Sequence, residues 1–281
     1  MQGFLIYEQA ELSRNGWFVQ KCMDFATRHG LNLELKLADR FSLGIQNNAP
    51  ALWYEGQSVS APQFAIVRSH DYRLTEQLEA LGTRCFNNGQ VARICNNKAL
   101  THAYLAGKGI PMVDTFYYTR HFALPNAPFL PAVVKAAGGH GGTQVFWAET
   151  QAEYQSICQE LRPFGDVVVQ RPAKTLGKDM RVYVLGNQIL AAVLRTGKDD
   201  FRSNFSLGGR VEAVTLTQDQ IALVQRVLEH FSFDYAGLDF IFDGEQMLLN
   251  EIEDVVGSRM LYQTTELDAV ELYLQYVLKN I

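Results

Sequence analysis

The chain has 281 residues, with 25 Lys and Arg against 30 Asp and Glu, a formal charge of −5. Apolar residues make up 47% and charged residues 20%, a balance that supports a buried core and excludes a disordered chain. At roughly 150 residues per domain, the length points to about two domains. The net acidic charge argues against general nucleic-acid binding, which draws on clustered Lys and Arg. No apolar run reaches the ~20 residues that span a bilayer. The apolar start lacks a basic leader, so the expectation is a cytoplasmic protein that binds neither membrane nor nucleic acid. Cys22, Cys85, Cys95 and Cys158 have no close spacing and read as reduced thiols. The six histidines form no pair at metal-ligand spacing.

Residues 3–7 (GFLIY) read as a buried strand, 16–29 as an amphipathic helix stopped by Gly30, and 31–37 as a strand of period two. A strand over 64–67 and a helix over 75–81 complete an α/β unit of about 85 residues with a parallel sheet. Residues 87–97 read as a connector into a helix over 98–107. Strand patterns follow at 132–137 and 143–147, with a helix over 151–162 and a strand over 167–170. Strands at 181–185 and 188–194 meet at Gly186-Asn187, a hairpin signal. A helix over 217–231 is capped by Thr217. Strands at 237–242 and 246–253 flank Asp243-Gly244-Glu245, and a helix over 266–278 closes the chain.

The first functional candidate is the glycine loop Gly138-Gly139-His140-Gly141-Gly142. Such a loop lets backbone N–H groups approach a phosphate, though it also serves as a plain flexible hairpin. It lacks the Lys-Ser/Thr ending and the following helix of a Walker A loop. Lys135 interrupts the apolar strand before it, so its ammonium either reaches solvent or meets an anion. The second candidate is the hairpin at 237–253. Asp239, Glu251 and Glu253 are either solvated edge charges or, if they converge, oxygen ligands for Mg²⁺. A two-residue Asp-Gly turn would set Asp239 opposite Leu248 and Glu251 opposite Ala236, on different faces. A shared metal site therefore predicts a three- or five-residue connection, with a bulge at Gly244. The third candidate is Arg195 with the loop carrying Arg202, Ser203 and Asn204, donors suited to a transferring phosphoryl group or a solvated loop. Asp179 and Arg181 read equally as a surface ion pair.

In order, Asn97-Lys98, VVKAAGGHGG, VVVQRP, GKDMRVYVLGNQILAAVLR, DFRSNFSLGG, GLDF and LLNEIE resemble the ATP-grasp superfamily, specifically its RimK-like carboxylate–amine (α-L-glutamate) ligases. The match covers about residues 87–281, and IVRSHDYRLTEQLEALG resembles the family's amino-terminal domain more weakly. The resemblance implies an α/β and α+β architecture: an N-terminal parallel-sheet domain (1–86) and two α+β subdomains (87–170 and 171–281) clasping ATP. It implies phosphoryl transfer from ATP to a carboxylate and displacement of phosphate by an amine, with glutamate or another amino acid added. Dipeptide or lysine-pathway ligation stays open, as does a nucleotide-binding regulator without turnover. Lys98 and Lys135 would hold phosphates under the glycine lid. Gln170, Arg171 and Pro172 would line adenine, with backbone donors from 170 and 171, since Pro lacks an N–H. Asp179 would contact the nucleoside. Arg195, Arg202 and Asn204 would serve catalysis, with Arg202, Ser203 and Asn204 at the phosphates. Asp239, Glu251 and Glu253 would bind one or two Mg²⁺ or Mn²⁺. Glu253 stands where the family usually has Asn, and Arg171-Pro172 where it often has Glu-Tyr. Arg68, Arg259 and Tyr262 are candidates for the substrates, a small-molecule or peptide carboxylate and an amino-acid amine. Self-association stays open.

Overall fold

The computed structural model describes residues 1–121, 126–197 and 209–281. β1 (Gln2–Tyr7) leads into α1 (Leu12–Arg28). Gly30 follows at φ +65°, a left-handed conformation that lets the chain turn back after the helix. β2 (Asn32–Leu37) returns parallel to β1. β3 (Phe41–Gln46), β4 (Ala49–Tyr54) and β5 (Gln57–Ser58) form a separate antiparallel sheet, which the sequence reading missed although Phe41, Leu43 and Ile45 alternate with Ser42, Gly44 and Gln46. Its signal is Asn47-Asn48, both at positive φ, the pair that a two-residue hairpin favours. β6 (Phe64–Arg68), α2 (Tyr72–Ala80) and β7 (Arg84–Phe86) complete the first unit. Its sheet is parallel, in the order β2-β1-β6-β7.

The expected connector at 87–97 contains a helix, α3 (Gly89–Cys95), capped by the Asn88 side chain. Its short apolar stretch buries Val91, Ile94 and Cys95 in a core shared with distant strands, so local periodicity understated it. α4 (Lys98–Leu105) follows, capped by Asn97. β8 (Thr115–Tyr118), β9 (Ala132–Ala136), β10 (Val145–Ala148), α5 (Gln151–Leu161) and β11 (Val167–Gln170) build the second unit. Its antiparallel sheet has the order β10-β9-β11-β8. Tyr154, Cys158 and Leu161 of α5 pack on Val134 and Val169.

β12 (Thr175–Leu185), β13 (Gln188–Thr196), β14 (Arg210–Val214), α6 (Gln218–Leu228), β15 (Tyr235–Asp243) and β16 (Gln246–Glu253) follow. The five strands form one antiparallel sheet, ordered β14-β13-β12-β15-β16. α3, α4 and α6 cover one face around Val182, Val224 and Leu238. On the other face α7 (Arg259–Thr264) and α8 (Ala269–Lys279) pack with α1 and the first sheet. The four cysteines are free and buried. No helix among the described residues is long and apolar enough to cross a membrane.

The β15–β16 connection corrects the expected geometry. Asp243 pairs with Gln246, so the turn is two residues, Gly244-Glu245, rather than three or five. The parity change comes from a register shift between Asp239 and Phe240. Phe240 faces Leu249, but Asp239 faces Glu251, leaving Asn250 as the extra residue. A bulge deep in the ladder does what an odd loop would have done.

Thr217 and Gln220 form a capping box at the start of α6. Thr217→Ala leaves an orphan N–H and should lower stability by about 1 kcal/mol in urea unfolding.

Candidate active site

The bulge sets the carboxylates of Asp239, Glu251 and Glu253 on one face, with one ligand atom from each within 4.8 Å of the others. Glu251 and Glu253 lie part-buried on the edge strand β16, but Asp239 is no edge charge. Asp239 is 1% exposed, on an inner strand flanked by β12 and β16. Its neighbours across the sheet explain how it stays ionised. Arg181, its register partner on β12, donates to it through Nε and Nη2 at 2.7 and 2.6 Å. Arg181 Nη2 also reaches Glu253 Oε1 at 2.5 Å. Arg195 donates to Asp239 Oδ2 at 2.7 Å and to Asp179 Oδ2 at 2.8 Å. Burial alone would raise the Asp239 carboxyl, but the Arg181 and Arg195 guanidiniums outweigh it and hold it at about 2. Burial pushes the Glu253 carboxyl up, against the pull of Arg181. Gly237, opposite Glu253, keeps this row open. A Cβ there would meet Val256 Cγ2 at 2.7 Å and Arg181 Cδ at 3.4 Å.

Asp179 and Arg181 are therefore not a surface pair. Both are buried, and β12 lies between β13 and β15, so Asp179 meets its register partner Arg195 on one side and Arg181 meets Asp239 on the other. Asp179 orients Arg195, while Arg181 bridges Asp239 and Glu253.

Beside the trio lies a cleft enclosing about 900 Å³, bounded by Lys98, Lys135, the glycine loop, Gln170, Arg195 and Glu251. β9 carries Lys135 into this cleft buried, not snorkelling. Its Nζ donates to Asn250 Oδ1 at 2.9 Å and makes no ion pair among the described residues. Burial pushes this ammonium down to about 8, against the attraction of Glu251. Lys98 opens α4 and lies 3.0 Å from Glu251 Oε2. It also donates to the Gly139 carbonyl. Burial would raise the Glu251 carboxyl, but Lys98 and Lys135 together outweigh it and lower it. Gly141 and Gly142 have φ of +71° and +77°, a conformation that side chains resist. A buried ammonium, Lys135, and a part-buried one, Lys98, under a glycine loop can take an anion. Three converging carboxylates offer hard oxygen donors for a divalent cation.

The adenine-strand expectation changes in detail. The Gln170 side chain turns inward, donating to Thr115 Oγ1 at 3.1 Å beside His102. The Arg171 N–H is already given to the Asp114 carbonyl at 3.0 Å, so it is not free for a ligand. Its guanidinium pairs with Asp114 at 2.9 Å. Pro172 lines the cleft beside them. Arg202, Ser203 and Asn204 lie outside the described residues. The structure does not bring Tyr262 to the cleft: its hydroxyl donates to Asp268 and accepts from Val270 N at 3.1 Å, at the start of α8. Arg259 is exposed at the start of α7 and does not line the cleft. Arg68 is buried at the end of β6.

Asn250 and His102 escaped the sequence reading. His102 Nε2 lies 2.9 Å from the Asn250 carbonyl, while Lys135 holds the Asn250 side chain. The signal for Asn250 was parity, since Asp239 and Glu251 share a face only if one residue between them is extra. No local pattern marks His102.

Arg181→Met removes the cation shared by Asp239 and Glu253, leaving Asp239 with Arg195 alone, and should cost about 3 kcal/mol in chemical unfolding. The Lys135 ammonium binds its proton less tightly in the folded chain, at about 8 against 10.5. The unfolded chain holds the extra proton between those values, so stability should rise with pH across that window. Unfolding of wild type and Lys135→Met at pH 7.5 and 9.5 checks this: only wild type should show the Lys135-dependent gain.

Residues 95–277 match the family model of the RimK-like ATP-grasp domain. Human N-acetylaspartylglutamate synthase A is 33% identical over 247 residues, which is 84% of this chain and 63% of that protein. The chain thus spans less than two thirds of that relative. A probable alpha-L-glutamate ligase of Vibrio atlanticus is 24% identical over 85% of this chain and 83% of its own length. Among solved structures, the D-cycloserine synthetase DcsG superposes with a TM-score of 0.75 at 13% identity, over 100% of this chain and 99% of that one. With its family match spanning residues 95–277, the chain belongs to the RimK-like ATP-grasp family.

Proposed function

We propose that the chain is an ATP-dependent carboxylate–amine ligase. The observation that carries this reading is the trio Asp239, Glu251 and Glu253 meeting beside a cleft that holds the buried Lys135 and the part-buried Lys98 ammonium groups. In this reading the γ-phosphoryl of ATP passes to a carboxylate oxygen, giving an acyl phosphate and ADP. The amine nitrogen then attacks the acyl carbon, expels phosphate and forms the amide. Glutamate is the first amine to test, because both relatives carry it in their names. The acid is a small molecule or a peptide.

The residues present fit both groups. Lys135 is a buried cation with no ion-pair partner among the described residues, which an anionic phosphate would balance. Lys98 stands beside it at the glycine loop. Gln170, Arg171, Pro172 and Asp179 bound the far part of the same cleft, where the base and sugar would lie. Asp239, Glu251 and Glu253 would hold one or two Mg²⁺ or Mn²⁺. Such a cation neutralises phosphate charge and raises the electrophilicity of the transferred phosphorus. Arg195, fixed by Asp179 and Asp239, would face charge that develops on the phosphoryl oxygens. Roles for Arg202, Ser203 and Asn204 rest on the family resemblance. The working division is 1–86 for the acceptor side, 87–170 for the lid, and 171–281 for the metal side.

Glu251→Gln keeps the side chain's shape but removes a metal-binding charge. ADP release with an active acid–amine pair should fall at least about 10²-fold, with the unfolding midpoint nearly unchanged; undiminished turnover in the folded variant would count against the assignment. Phosphate binding should also pull the Lys135 pKa upward from about 8. ATP binding should then take up a proton at pH 8–9 and weaken as pH rises. Calorimetry in buffers of different ionisation enthalpy measures that uptake.

A further inference from the structure

Tyr7 and Arg68 are register partners at the C-terminal ends of β1 and β6. The strand order β2-β1-β6-β7 places β2 on one side of β1 and the later strands on the other. The β1/β6 boundary is thus the switch point of this parallel sheet, where open α/β sheets bind ligands.

Arg68 is 6% exposed and Tyr7 1%. Arg68 Nη2 donates to the Val256 carbonyl at 2.7 Å, and the guanidinium sits 4.9 Å from the Phe18 ring centre. It makes no ion pair with a carboxylate among the described residues, and its Nε–H finds no acceptor. The Tyr7 hydroxyl beside it is also buried without a hydrogen-bond partner. His70 Nδ1 completes the group: it lies 3.4 Å from Glu8 Oε1 but closes no hydrogen bond. The nearby buried carboxylate, Asp254, is committed to Asn87 and Asn96 at 2.6 and 3.1 Å.

Burying a guanidinium without a counter-charge costs several kcal/mol, and each orphaned polar atom adds to that. Two such atoms side by side at the switch point, the Arg68 Nε and the Tyr7 hydroxyl, indicate an absent anionic partner, whereas His70 already has the Glu8 carboxylate beside it. The place suits a substrate. Val256 follows Glu253 by three residues, so Arg68 abuts the chain that leaves the carboxylate trio. His140, at the tip of the glycine loop, stacks on His70 with ring centres 4.0 Å apart and planes 6° from parallel. The loop that borders the nucleotide cleft therefore also touches these strand ends.

We propose that Tyr7 and Arg68 form a binding site for a substrate carboxylate that is not the one being activated. The proposal rests on the ligase reading and deepens it. Arg68 would pair with the carboxylate, and the Tyr7 hydroxyl would donate to it. Two substrates carry such a group: the acid, if it has more than one carboxylate, and the incoming amino acid.

The test is calorimetric binding of L-glutamate, N-acetyl-L-aspartate, succinate and citrate to the full chain, with succinamide as the neutral control. Wild type should bind at least one of these acids and not succinamide. Tyr7→Phe should weaken that binding at least about 10-fold with its melting temperature nearly unchanged, because the hydroxyl closes no well-formed hydrogen bond and has only the Arg68 guanidinium beside it. Arg68→Gln should weaken it more; should that variant fail to fold, Tyr7→Phe decides. Loss confined to glutamate assigns the site to the amino acid, and loss confined to the other acids assigns it to the acid. No carboxylate binding, or equal binding by wild type and Tyr7→Phe, overturns the proposal. ADP release separates the two readings. Turnover with carboxylate affinity unaffected by the variants sinks this site alone. Variant-sensitive binding, with no turnover for any acid–amine pair, sinks the ligase reading alone.

Discussion

One extra residue in one strand organises this site. Side chains alternate along a strand, so a regular ladder closed by Gly244-Glu245 would put Asp239 and Glu251 on opposite faces. The bulge at Asn250 restores the match. It is held from two sides, by His102 at the carbonyl and Lys135 at the amide. Those residues come from α4 and β9, so the helix and the second sheet grip the same irregular point of the third sheet. The bulge thus ties the carboxylate trio mechanically to the cleft's lysines.

The second constraint is charge. Lys98, Lys135, Arg181 and Arg195 are buried or nearly so, facing Asp179, Asp239, Glu251 and Glu253. Removing so many ions from water is costly, and hydrophobic substitutes commonly give equal or better stability. Stability alone does not account for such a cluster. It suits chemistry in which highly charged groups enter a partly dry cleft and need partners already oriented. The arginines keep Asp239 ionised despite full burial, as a metal-binding carboxylate requires.

The cleft and the N-terminal strand ends adjoin at the glycine loop. His140 bridges them by stacking on His70, and Arg68 reaches the chain just beyond Glu253. A phosphorylated ligand on one side and a carboxylate on the other would meet near the glycine loop. That arrangement matches a ligase, which must hold two or three anionic reactants together before any bond forms.

Much of the architecture was readable from local chemistry. Short apolar runs marked β1 and β6, a period-two run marked β2, glycine stops marked helix ends, and Thr217 marked the start of α6. The residue types of the site were readable as well, because a Lys inside AVVKAA and acids inside GLDF and LLNEIE are costly without partners. What stayed hidden depended on distant neighbours. The helix at 89–95 draws its burial from strands more than 80 residues away, and the alternating run at 41–46 stays largely exposed in a small sheet of its own. Asp179 and Arg181 looked like a surface pair because sequence separation cannot show that each faces a different strand. The sequence alone determined which charged groups would need partners. Only the tertiary structure decided who those partners are, since cross-sheet register and one bulge set which side chains share a face, and neither is encoded in a local run of residues.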